Sequence, residues 1–317
     1  MKSIFDHRSM QALLRRARML RRLLASALLA ACSLPAAAAL NVVACEPEWA
    51  SLASALGGDK LNVSAATTAA QDPHHIEARP SLIARMRNAD LIVCTGMELE
   101  IGWLPVLVRQ SGNARLVPDA PAYFEAGRYI TPIEVPTRLD RGEGDVHAQV
   151  NPHIQLDPRN IAKIATALAA RLAQIDPRNA KTYQDRLQAF QARWSTAMQK
   201  WAQEALPLKG LVVVAHHKNM GYLWQWLGVR EVGTLEPKPG VEPSAGHLSE
   251  LNAQLARQPA KLVVRAAYED PRASEWLAEH AKIRAVALPF TVGGNAQATD
   301  LFGLYDSTIA LLLEGAK

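Results

Sequence analysis

Little in this sequence points to catalysis or to nucleic acid. Three cysteines among 317 residues are too few for a small disulfide-stapled protein. Beyond residue 39 no apolar run approaches the roughly 20 residues that a membrane-spanning helix needs. No Gly-x-Gly-x-x-Gly follows a strand pattern, and no phosphate loop ending in Lys-Ser/Thr is present. His-Glu-x-x-His and Gly-x-Ser-x-Gly are absent too. The formal charge of +5 is not spread along the chain. Residues 1–39 hold seven basic residues against Asp6, which leaves 28 basic and 29 acidic residues elsewhere. The basic balance therefore belongs to the N-terminus, and the rest gives no electrostatic case for nucleic acid. What remains, 49% hydrophobic and 21% charged, is the composition of a folded globular chain rather than a disordered, collagenous or coiled-coil one.

The N-terminus reads as an export signal. Arg15, Arg16, Arg18, Arg21 and Arg22 precede an apolar run from Leu23 to Leu34, followed by Pro35 and Ala36 to Ala39. A charged region, a short apolar region and a small-residue cleavage zone form the secretory pattern. The basic part is long, so Met10 and Met19 are alternative starts. Cleavage after Ala39 leaves a soluble chain from Leu40. Leu29-Ala30-Ala31-Cys32 offers a lipoprotein box as the second route, with Cys32 lipidated. Either way the chain enters an oxidising, periplasmic compartment. Cys45 and Cys94 each end a short apolar run, which places them at the ends of neighbouring strands. A bridge between adjacent parallel strands is geometrically awkward, so the expectation is two buried free thiols.

From residue 40 onward short apolar runs alternate with helical patterns. Strands are expected at Asn41–Ala44, Leu61–Ala65, Leu91–Val93 and Arg115–Val117, with helices at Glu46–Leu56, Pro80–Asn88 and Trp103–Gln110. The order returns at Leu211–Ala215, Lys261–Ala266 and Ala285–Leu288, with helices at Gly221–Leu227, Leu248–Ala256, Ser274–His280 and Leu301–Glu314. Alternation of this kind predicts an α/β fold with two lobes of mostly parallel sheet covered by helices. Between them Tyr183, Leu187, Phe190, Trp194, Met198 and Trp201 recur at helical spacing, one face of a single helix from about residue 179 to 205. The chain divides into a signal at 1–39, a first lobe at 40–177, a connecting helix at 178–206 and a second lobe at 207–317. Residues 118–150, with four prolines and little periodicity, read as a surface loop.

Histidine carries the chemistry that is left. Besides His7 in the signal there are the pairs His74-His75 and His216-His217, then His147, His153, His247 and His280. His74 lies just past the second strand and His217 just past the first strand of the second lobe, where open α/β sheets bind ligands. His153 stands before the helix that carries Ile161. The gaps between these three, 79 and 64 residues, fit no local metal finger.

Three motifs then carry a resemblance. Asp72-Pro73-His74-His75-Ile76-Glu77-Ala78-Arg79-Pro80-Ser81, followed by Asn88-Ala89-Asp90-Leu91-Ile92-Val93, resembles the first ligand loop of the metal-binding solute-binding proteins of ABC transporters, the zinc and manganese cluster. Asn151-Pro152-His153-Ile154 resembles their second ligand motif. Ala215-His216-His217-Lys218-Asn219-Met220-Gly221-Tyr222 resembles the third. Asp300, before the last helix, occupies the place of the family's final carboxylate ligand. The resemblance implies two Rossmann-like lobes joined by one long rigid helix, with a metal between them held by His74, His153, His217 and Asp300. It makes His75 and His216 the neighbours of ligands. It implies a monomer that delivers its ion to an ABC permease of the inner membrane. Three imidazoles and one carboxylate favour Zn2+ over Mn2+, whose sites take more oxygen. Zinc members often carry a His- and acid-rich loop, whereas residues 118–150 here hold only His147.

The expected function is capture and delivery of zinc, without enzymatic activity. A zinc hydrolase using the same histidines, with Asp300 or Glu269 as general base, is the rival reading, and it needs an open position on the metal. A receptor for haem or a siderophore, with incidental histidines, is a third.

Overall fold

The computed structural model describes residues 38–134 and 150–317, and residues Met10 and Met19 singly. The signal pattern, Cys32 and His147 lie outside the described residues. Residues 39–317 form one compact unit. It contains two four-stranded sheets, parallel throughout.

The first sheet holds β1 (Leu40–Ala44), β2 (Leu61–Ala65), β3 (Leu91–Cys94) and β4 (Tyr123–Glu125), in the order β2-β1-β3-β4. The second holds β5 (Val212–Ala215), β6 (Arg230–Thr234), β7 (Leu262–Ala266) and β8 (Arg284–Leu288), in the order β6-β5-β7-β8. The topology is the same in both. From the inner strand β1 or β5 the chain goes first to one neighbour and then to the other. That reversal opens a crevice at the carboxyl ends of the strands, the place where α/β sheets bind ligands.

Helices α1 (Pro47–Gly57), α2 (Pro80–Arg87), α3 (Leu104–Ser111) and α4 (Pro158–Ile175) accompany the first sheet. Proline stands at the start of α1, α2 and α4, where its missing N–H costs nothing. The Asp157 carboxylate accepts the Arg159 N–H and caps α4. Next comes α5 (Ala180–Glu204), about 37 Å long at 1.5 Å per residue. Tyr183, Leu187, Phe190, Trp194 and Trp201, five of the six residues of the predicted stripe, are buried on it. The second sheet carries α6 (Gly221–Leu227), α7 (Ala245–Leu255), α8 (Pro271–Ala281) and α9 (Leu301–Gly315). The long helix packs on α1, α4 and α9 through its one buried stripe. Trp194 meets Phe302 and Tyr305 of α9 edge-on, and Trp201 Nε1 donates to Asp306 at 2.6 Å. One aromatic cluster thus ties both sheets to one helix.

Three expectations are corrected. Arg115–Val117 is not a strand: the Asn113 side chain binds the carbonyls of Met86 and Ala89 and accepts the Arg115 N–H, which makes a turn. The fourth strand is Tyr123–Glu125, inside the stretch read as loop. Arg230–Thr234 is a further strand, at the edge of the second sheet, where its two leading charges hide the strand pattern. Cys45 and Cys94 form a disulfide with Cα atoms 4.8 Å apart. Their strands pair at Ala44 and Val93, and Cys45 lies one residue beyond β1, where the chain already turns toward α1. The chain bends at Cys45 while its N–H still donates to the Val93 carbonyl at 2.8 Å, and the two Cα atoms stand at ordinary bridging distance. Among the described residues no helix is long and apolar enough to cross a membrane.

Candidate metal centre

His74, His153 and His217 converge. Their rings have centroids 5.4 to 5.9 Å apart, and their nitrogens lie within 4.8 Å of one another. Each comes from a different place in the fold. His74 sits on the loop after β2, which is tied down twice. Thr67 Oγ1 donates to the Cys45 carbonyl at 3.0 Å, and Trp103 Nε1 donates to the Pro73 carbonyl at 2.8 Å. His153 opens the turn before α4 and is 0% exposed. His217 follows β5, the inner strand of the second sheet, and is buried.

All three rings are held in the same way from behind. His74 Nδ1 bonds Asp72 Oδ1 at 2.6 Å, His153 Nδ1 bonds Asn151 Oδ1 at 2.9 Å, and His217 Nδ1 bonds Glu236 Oε2 at 2.7 Å. An oxygen that only accepts requires the proton on Nδ1, so the nitrogen presented for coordination is Nε2. In Asp72-Pro73-His74 and Asn151-Pro152-His153 the acceptor also takes the backbone N–H of the histidine, at 2.9 and 3.0 Å. A side chain two residues upstream thus fixes both backbone and ring. This Asx-Pro-His repeat stands in the sequence, and it could have named Asp72 and Asn151 in advance. Nothing local marks Glu236, which is 19 residues from His217 and is itself oriented by the Gly240 N–H at 2.9 Å.

The surroundings are acidic. A cavity of about 360 Å³ beside the cluster is lined by Asp72, Glu236, Glu242, Glu269 and Asp270 together with His75 and His216. Burial works to raise the Asp72 carboxyl, but the bonds and charge of His74 outweigh it and hold it below the usual range. Burial works to lower the His217 ring, but the Glu236 bond and charge outweigh it and raise it. Burial pushes Glu269 up to about 7. Its oxygens accept the Ala266 N–H and the Asn219 amide.

Asp300 is not part of this cluster. It is the exposed N-cap of α9, where its carboxylate accepts the Gly303 N–H at 2.8 Å. It lines a different and larger cleft, of about 690 Å³, with Ser51, Arg186 and Arg193, and none of the histidines reaches that cleft. An acid just before an apolar helical run is an N-cap signature first, and that role claimed this residue. Asp300→Ala is expected to cost about 1 kcal/mol of stability, the usual price of a lost cap, and to leave metal affinity at the wild-type value in a competition titration. His75 is exposed. His247 Nε2 bonds the Thr234 carbonyl and His280 Nδ1 the Trp276 carbonyl.

Residues 42–315 match the model of the family described as ZnuA, zinc-uptake complex component A, periplasmic. The chain belongs to that family. Among curated relatives, the metal ABC transporter substrate-binding lipoprotein ScbA of Streptococcus cristatus is 29% identical over 212 residues, 62% of this chain and 64% of that protein. The match thus spans less than two thirds of that relative's length. The iron ABC transporter substrate-binding lipoprotein MtsA of Streptococcus pyogenes serotype M1 is 32% identical over 49% of this chain and 47% of its own. A crystal structure of ZnuA superposes with a TM-score of 0.71 at 23% identity, over 86% of this chain and 99% of that one. The manganese-bound periplasmic metal binding protein of candidatus Liberibacter asiaticus gives 0.70 at 15%, over 87% and 99%. These likenesses establish the ZnuA fold, two parallel-sheet lobes, for this family member.

Proposed function

We propose that this ZnuA-family chain is an exported carrier that captures one divalent metal ion and hands it, as a monomer, to an ABC permease of the inner membrane. The convergence of three imidazoles, each with Nδ1 held by an oxygen, carries the reading. His74, His153 and His217 are the ligands through Nε2. The ion is zinc, because a set of nitrogen donors suits zinc and manganese favours oxygen. The family is named for zinc uptake, and the relatives are named for manganese, iron or metal in general. The names describe transport, and the pattern of residues 1–39 supports export to the periplasm, with Cys32 available as a lipid anchor.

The rival hydrolase needs a general base at the metal. Asp300 lies in another cleft, and both Glu269 oxygens are engaged by amide donors. Metal analysis of the purified mature chain is expected to find about one zinc per molecule, as a single centre requires. Competition titration is expected to rank zinc above manganese. Tighter manganese binding would overturn the choice of ion, and no bound divalent ion would overturn the carrier.

A further inference from the structure

The segment after β8 crosses from the second lobe to the first at three points. Phe290 lays its ring edge-on to His153, with centroids 5.5 Å apart, and packs equally close to Tyr268. Thr291 Oγ1 donates to Glu48 Oε2 in the first turn of α1. Gly293, at φ +90°, runs beside Ala69 on the His74 loop, where an added Cβ would stand at ordinary contact distance, 3.6 Å from the Ala69 Cβ. The bond between Glu48 and Thr291 is fully internal, with the two residues 1% and 7% exposed. A buried carboxyl group is expensive unless something donates to it, and here the donor comes from the opposite lobe. Two backbone bonds brace the segment itself, Gly293 N–H to the Ala298 carbonyl at 2.7 Å and Gly294 N–H to the Thr291 carbonyl at 3.0 Å.

We propose that residues 289–294 are a clasp between the lobes, with Glu48 as its catch, and that the clasp sets how long the metal is retained. Thr291 and Glu48 are positioning residues: they act through Phe290, which walls the His153 ring into place. The inference rests on the reading of His74, His153 and His217 as the metal centre. Opening the clasp frees the His153 ring to turn and the lobes to part, so it speeds release and leaves capture unchanged. Burial pushes Glu48 up to about 7. Its oxygen accepts from Thr291 whether or not the group holds a proton, so the donor is the side to remove.

The test loads purified mature protein with zinc and follows release into excess chelator by stopped flow. Thr291→Val keeps the shape and deletes the donor. Phe290→Leu removes the ring and keeps an apolar filler. Each is expected to release zinc about ten-fold faster, the lower end of the range for partners behind a metal ligand, with the association rate held within about two-fold. Thr291→Ser restores the hydroxyl and is expected to restore the wild-type release rate, a rescue that general weakening of the lobe would not give. His153→Ala separates the two levels of the argument. If wild type takes up no zinc, or His153→Ala takes it up unchanged, the metal centre falls and the clasp falls with it. If the centre passes and both Thr291→Val and Phe290→Leu release zinc at the wild-type rate, the clasp alone is overturned.

Discussion

His153→Ala is expected to weaken zinc binding by more than about 100-fold, beyond the range seen when only an outer partner of a metal ligand is lost. His153 is the fully buried member of the triad, enclosed by Phe290 and the start of α4. Deleting its ring leaves two protein nitrogens for an ion that prefers four ligands. It also opens a hole that only water can fill. His74→Ala and His217→Ala are expected to follow closely, since each removes one of the same three donors. His75→Ala, His216→Ala and His247→Ala are expected to stay near wild type. His75 is exposed, and His247 is spent on a backbone carbonyl of its own lobe. Competition against a zinc-binding dye measures all six. A larger loss at His75 than at His74, or at His216 than at His217, would shift the ligand register by one residue and sink this assignment.

The second large effect concerns charge. Three neutral imidazoles bring none, so a divalent ion at their centre needs compensation from elsewhere. Asp72 and Glu236 supply it, at 2.6 and 2.7 Å from the Nδ1 atoms of His74 and His217. Two carboxylates behind two ligands offset both charges of the ion. Loss of such a partner typically costs about 10–100-fold in affinity. Charge and geometry can be separated here because the protein contains its own control. Asn151 holds His153 with the same pair of bonds and no charge. Asp72→Asn should therefore keep the His74 loop in place and lose about ten-fold, whereas Asp72→Ala loses orientation as well and should approach 100-fold. Glu236→Gln is expected to resemble Asp72→Asn. Equal affinity for wild type, Asp72→Asn and Asp72→Ala would show that Asp72 shapes the loop for some other purpose.

Much of this protein is local, and local features are legible in one dimension. Spacings of four and three residues from Tyr183 to Trp201 are enough to draw the long helix, because a helix buries one stripe whatever it packs against. Gly221–Leu227 is likewise visible as a helix before any fold is known. Alternation of short apolar runs and helical patterns dictates two parallel-sheet lobes, since parallel neighbours need a crossover helix between them. Asx-Pro-His is legible too, because its bonds close within three residues. Asp300 lay open to misreading for the same reason: its cap bond to Gly303 is local, whereas ligation would have been a relation across space.

Tertiary structure decided everything that depends on which elements become neighbours. His74, His153 and His217 are far apart in the chain and meet only because the loop after β2, the turn before α4 and the end of β5 come together in one compact unit. Glu236 reaches His217 only through the pairing of β5 with β6. Cys45 finds Cys94 through the register of β1 and β3, and Thr291 finds Glu48 across 243 positions of chain. Helix and strand signals come from neighbours a few residues away, so they are written along the chain. A metal centre and a lobe clasp come from side chains on different elements, and their distances exist only once the sheets have formed and the helices have packed between them.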